Sequence, residues 1–152
     1  MYWTIWISLT LYAAAEIGKA RRTAWAWWAS AAGVVLLAIH IGIALDAVGW
    51  SHAATVAATA RATRKVFGID AGAGVIANYV FLTGWAAETI WWRADAIGYA
   101  SRPALIRWSL RGLAMVMIVN AAIVFVPNWR RWLGAAIAVS AAWAWSRPAA
   151  SG

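Results

Sequence analysis

Long apolar stretches separated by short clusters of charge set the pattern of this chain. Four of them are YWTIWISLTLYAAAEIG (residues 2–18), WAWWASAAGVVLLAIHIGIAL (25–45), GVIANYVFLTGWAAETIWW (74–92) and WSLRGLAMVMIVNAAIVFV (108–126). A helix of roughly 17 to 25 residues crosses the hydrocarbon core of a bilayer, so each predicts a spanning helix. Pro127 stops the fourth, because proline cannot continue helical hydrogen bonding beyond a first turn. A fifth run, WLGAAIAVSAAWAW (132–145), is short for a span. Tryptophans at both ends, with Arg131 and Arg147 outside them, favour crossing by snorkelling; an interfacial placement is the alternative. No period-two alternation is present, so a barrel is excluded and helices are what an apolar solvent demands of the backbone.

One segment breaks the pattern. GWSHAATVAATARATRKVFG (49–68) is too polar to span. Ser51 is placed to cap a helix over 51–67 and Gly68 to end it. His52, Thr55, Thr59 and Thr63 recur at three and four residues and form a polar stripe, Ala53, Ala57 and Ala60 form a small-residue face, and Arg61, Arg64 and Lys65 gather at the far end. This predicts an amphipathic helix lying at the membrane interface or packed over the mouth of a bundle. The glycines of GIDAGAG lack both a preceding strand and the spacing of a phosphate loop, so they read as re-entry into the next span.

Composition agrees. Hydrophobic residues make up 64% of 152, where soluble domains hold roughly 45–50%. Most of the 14 tryptophans sit where an apolar run meets a charge, which is the aromatic belt of a membrane interface. A net charge of +8 raises the question of nucleic acid, but the apolar runs between the basic clusters would then have nowhere to go. Cysteine is absent, which removes disulfides, thiolate metal sites and covalent haem attachment. The charges of KARR follow the first run instead of preceding it, so that run is expected to be a retained helix and not a secretory leader. With the N-terminus outside, eight Lys and Arg (Lys19, Arg21, Arg22, Arg93, Arg102, Arg107, Arg111, Arg147) lie inside and five (Arg61, Arg64, Lys65, Arg130, Arg131) outside, a positive-inside bias. The expectation is one transmembrane domain over 1–152 in a bacterial-type inner membrane.

Ionisable groups in apolar runs are functional candidates. Glu16 and Lys19 are i, i+3 neighbours and predict a local pair. Glu88 and Arg111 fall at similar depth in a hairpin joined by 93–107, which predicts an ion pair locking the third run to the fourth. His40, Asn78 and Asn120 lie roughly 6–10 Å from the ends of their runs at 1.5 Å per residue, all on one face because chain direction alternates. With Tyr79, Asp46 and His52 they outline a candidate pocket. His40, His52, Asn78, Tyr79 and Asn120 would bind a small lipophilic ligand or a b-type haem, or His40, Asp46 and His52 would hold a metal ion. The six-and-six spacing of the last three does not put them on one helical face. No Ser/His/Asp constellation has supportive spacing.

The stretch GWSHAATVAATARATRKVFGIDAGAGVIANYVF, followed by a Trp-rich helix end, resembles small multispanning bacterial membrane proteins of uncharacterised function. The resemblance covers the middle third and brings no activity or site residue with it. Two main readings remain open: a non-enzymatic accessory or structural subunit of a larger membrane complex, in contact with lipid and with other subunits, and a membrane pocket protein. A small transporter or channel is a third, for which few polar residues line a continuous path.

Overall fold

A computed structural model describes residues 2–126 and 128–147, and every regular element within them is helical. The order is α1 (Tyr2–Ala20), α2 (Trp25–Asp46), α3 (His52–Phe67), α4 (Gly74–Ala94), α5 (Ala96–Ala100), α6 (Ala104–Val119), one π-helical segment (Asn120–Val124) and α7 (Arg131–Ser146). The helix expected over 51–67 forms at His52–Phe67: the Ser51 hydroxyl accepts from the Ala54 N–H at 3.2 Å, and Gly68 adopts the left-handed conformation (φ 72°) that ends it. The 93–107 connection carries the short helix α5, capped by Asp95, whose carboxylate accepts from the Gly98 N–H at 2.8 Å. Pro127, the expected stop of the fourth run, lies outside the described residues. A widened π turn at 120–124 precedes it, a feature that hydrophobic periodicity does not signal.

α2 and the continuous helical stretch Ala104–Val124 are long and apolar enough to cross a membrane. α1 and α4 have comparable lengths of 19 and 21 residues, but their Trp, Tyr, Thr and Glu residues keep them less apolar. α7 has 16 residues.

The core is built from small residues around one aromatic cluster. Tyr12, Phe81 and Trp85 meet at ring-centroid distances of 5.0–5.8 Å and are all buried. Trp85 lies over Gly33, where a Cβ would collide with its ring, so glycine here is what lets α4 close on α2. The indole N–H donates to the Ser30 hydroxyl at 2.9 Å, Ser30 meets the Thr89 hydroxyl at 2.8 Å, and Ser8 donates to the Gly33 carbonyl at 2.8 Å. Each of these buried polar side chains therefore has a partner inside the bundle. Gly134 plays a similar part on α7, since a Cβ there would collide with the Ala122 carbonyl of the π segment. Ala13, Ala26, Ala114, Ala122, Ala141 and Ala144 are buried, while Trp3, Trp28, Val35, Ile39, Ile90, Trp108, Val116, Trp132 and Val139 are exposed. Small residues share the interior with Leu9, Leu37, Ile118 and the aromatic cluster, while many other large apolar side chains face out.

Contacts between helix ends define two ends of the bundle. At one, Thr4 meets His40 at 2.9 Å, Tyr79 approaches His52 at 3.5 Å, Arg130 lies over the Trp3 ring and Phe67 packs edge-on against Phe125. At the other, the C-terminal turns of α1, α4 and α7 gather with α5 and the start of α6. α1 and α7 consequently run parallel.

Candidate functional site

The residues singled out from sequence at the α3 end do not come together as a ligand set. His40 is engaged with Thr4, Asp46 accepts from the Trp50 indole at 3.1 Å, and His52 is exposed beside Tyr79. Among the described residues no three His, Cys, Asp or Glu side chains gather as a metal-binding group, so His40, Asp46 and His52 do not form the triad considered from sequence. His40 and Asp46 sit on α2, and His52 opens α3 beyond the turn through Gly49 and Trp50, both at positive φ. The chain reversal separates them. Asn78 and Asn120 are half-buried, and none of His40, His52, Asn78, Tyr79 or Asn120 lines either of the two cavities described below.

The threonine stripe of α3 turns inward, with Thr55 and Thr63 buried. Its hydroxyls are used locally: Thr55 donates to the Ser51 carbonyl, Thr59 to that of Thr55 and Thr63 to that of Thr59, at 2.9–3.2 Å. Thr63 also accepts from the Ala71 N–H at 3.0 Å, tying the 68–73 loop down beside the Arg64–Asp70 ion pair. The stripe anchors the segment and leaves no hydroxyl directed at a ligand.

The opposite end holds a cavity of about 930 Å³. Its walls carry six cations, Lys19, Arg22, Arg102, Arg107, Arg111 and Arg147, against one lining carboxylate, Glu16, with Glu88 just behind. Both carboxylates are buried and already engaged. Glu16 binds Lys19 at 2.7 Å through one oxygen and accepts from the Trp145 indole at 2.9 Å through the other. This is the pair expected from the i, i+3 spacing.

Glu88 pairs with Arg102 at 2.9 Å, accepts from the Tyr99 hydroxyl at 2.8 Å and has Lys19 at 4.0 Å. The expected Glu88–Arg111 pair is thereby corrected. α5 folds back under α4 and delivers Tyr99 and Arg102 to Glu88, while Arg111 turns toward the Trp108 and Trp145 rings at 5.1 and 5.6 Å. The equal-depth argument missed this because it treated 93–107 as a featureless loop. Tyr99 stacks on Trp92 and carries the Arg102 guanidinium 3.7 Å above its ring. Burial pushes its hydroxyl up to about 12, with Glu88 and Glu16 acting in the same direction and Lys19 against them. Tyr99 therefore stays protonated and a donor to Glu88 at neutral pH.

What remains is an excess of positive charge and three unpartnered donors. Arg102, although only 8% exposed, leaves its Nε without a hydrogen-bond partner, and the buried Nε atoms of Arg107 and Arg111 lack one as well. Buried polar groups are ordinarily satisfied, and three unpartnered guanidinium N–H groups, one just before α6 and two on it, call for an acceptor. Arg107 and Arg111 are four apart on α6 and share a face. Arginine forks match the paired oxygens of phosphate and carboxylate. The only sequence signal for this site was the spacing Arg102, Arg107, Arg111, which the sequence reading spent on topology and on the Glu88 pair. No family model, curated protein or solved structure matches the chain.

Proposed function

We propose that this chain is an integral membrane protein whose helical bundle crosses the bilayer and whose arginine-lined cavity binds an anionic group. The excess of cations over carboxylates in the lining of one cavity carries the reading of an anion site, and the buried, unpartnered Nε atoms of Arg102, Arg107 and Arg111 accord with it. Membrane embedding is supported by the outward-facing apolar surface. A helix apolar all round is either a buried core helix or a span, and only 22% of the most apolar window of α2 is buried. The spanning set is α1, α2, α4 and α6 with its π segment, plus α7, and α3 lies across the mouth at the opposite end from the cavity. The bias of eight cations at the cavity end against five elsewhere supports a cytoplasmic side for it.

Binding is the function this reading gives the cavity. Glu16 and Glu88 are both committed to cations. The purified protein in detergent should bind inorganic phosphate, read by calorimetry, with affinity falling as salt rises. The double variant Arg107→Gln/Arg111→Gln should weaken binding at least about tenfold while keeping the wild-type helical circular dichroism, given that a charge-assisted hydrogen bond is worth roughly 1.5–3 kcal/mol. A folded double variant that binds as the wild type does would refute the anion site.

The accessory-subunit reading also has an observation in its favour. Gly42, on the outward side of α2 four residues after exposed Ala38, has open space around it, and small residues four apart let another helix approach closely. Native purification that yields a stoichiometric second subunit would support this reading, and a lone protein would count against it.

A further inference from the structure

We infer that the anion bound in the arginine cavity is the headgroup of a membrane lipid carrying a phosphate monoester, with its hydrocarbon chain lying in the groove between α1 and α7. The inference rests on the anion reading above and adds the nature of the molecule. A second cavity of about 670 Å³ runs between these two helices, lined on α1 from Trp3 to Ile17 and on α7 from Trp129 to Ser140. Ala13 and Ala14 on α1 and Ala136 on α7 leave the space, since larger side chains there would bring the walls together. Apart from Arg130 at its far end, Thr10 and Ser140, its lining is apolar.

The groove and the cation cavity succeed one another along the same pair of helices. Ala13 and Ile17 line the groove and Glu16, Lys19 and Ala20 line the cavity; on α7 the groove ends at Ser140 and the cavity begins at Ala144. Four residues are about one helical turn, roughly 5–6 Å. The parallel course of α1 and α7 carries their seam from the groove to the edge of the cavity, where α4, α5 and α6 supply the other walls. The fourteen helical steps from Trp3 to Ile17 give the groove a length of about 21 Å, most of the roughly 30 Å hydrocarbon thickness. Trp145 stands at the junction with its indole held by Glu16, an amphipathic ring at the level where a headgroup gives way to a chain.

Charge complementarity selects the occupant. A soluble phosphate would satisfy the arginines and leave the groove to bulk lipid; a zwitterionic lipid would fill the groove and bring its own cation into a cavity with six already. A phosphate monoester on a hydrocarbon chain meets both demands: its dianion answers the open guanidinium donors, and its chain covers the apolar walls.

The test compares three probes on detergent-solubilised protein by native mass spectrometry and by competition: inorganic phosphate, glycerol 3-phosphate, and phosphatidic acids of increasing chain length, with phosphatidylcholine as the zwitterionic control. Phosphatidic acid should bind tighter than either soluble probe, gaining about tenfold for every two methylenes that the groove buries until it is filled. Phosphatidylcholine should not displace it. Ala136→Phe, which fills the groove, should remove the chain-length gain and leave phosphate affinity unchanged, and the wild-type chain-length series decides the matter if that variant does not fold. Phosphate binding with no gain from the chain would overturn the lipid inference and leave the anion site standing. Equal retention of phosphatidylcholine would overturn it too, and failure of every phosphate probe would remove the anion site as well.

Discussion

At the scale of single residues, the decisive group is Glu88. It is 8% exposed and serves Arg102, Tyr99 and, at longer range, Lys19. A buried carboxylate is tolerated only because cations and a hydroxyl surround it, and removing its charge leaves Arg102 enclosed with Arg107 and Arg111 nearby. Glu88→Gln should therefore lower stability by about 3–5 kcal/mol, measured as the shift in unfolding midpoint in detergent, whereas Glu16→Gln, which leaves Lys19 the second carboxylate of Glu88, should cost less. Equal, small losses in both would show that the Glu88 network is dispensable. The sequence marked Glu88 as a buried anion needing a cation, and the physical reasoning behind that was sound. The identity of the partner depended on α5, a five-residue helix too short to leave a periodic signal.

At the scale of elements, α3 shows how a correct element can be given a misleading role. Its limits and caps follow from Ser51, Gly68 and the three-and-four spacing of its polar positions, and all three appear in the structure. The same spacing makes a polar stripe whose hydroxyls, turned inward, would be available to a ligand if nothing else engaged them. Threonine in a helix, however, donates to the carbonyl four residues back, and Thr55 and Thr59 do so. Replacing each by valine should change stability by less than about 1 kcal/mol, because a locally satisfied hydroxyl contributes little net. Thr63→Val should cost roughly 1–3 kcal/mol, since the Ala71 N–H loses its acceptor. Thermal unfolding of the three variants checks the order; a large loss at Thr55 or Thr59 would restore a binding role for the stripe. The arginine site went unread for a related reason. Lys and Arg at the ends of apolar runs are so regular a feature of topology that spacing alone does not separate cations lining a cavity from cations spread over lipid headgroups.

At the scale of the whole molecule, the open question in the sequence was the fifth run, and the helix packing supplies an argument. α7 is 16 residues long, about 24 Å, short of the roughly 30 Å core. Its start lies by Trp3, under Arg130, and its end by Glu16, through Trp145. It is thus matched to α1 along nearly its whole length, and Gly134 seats it against the π segment so closely that no side chain would fit between. A helix held in this way shares the course of its neighbour. If α1 crosses the bilayer then α7 crosses with it, its deficit met by the exposed Trp129 and Trp132 and by Arg130, Arg131 and Arg147 at its ends. Reporters of membrane sidedness inserted at residues 128–130 and fused behind α7 should read opposite sides, with the second on the side of Lys19 and Arg102. The result bears on more than topology, because the groove between α1 and α7 can receive a lipid chain only if both walls stand in the hydrocarbon. Two reporters on one side would take α7 out of the membrane, expose the groove to water and leave the arginine cavity as a site for a soluble anion.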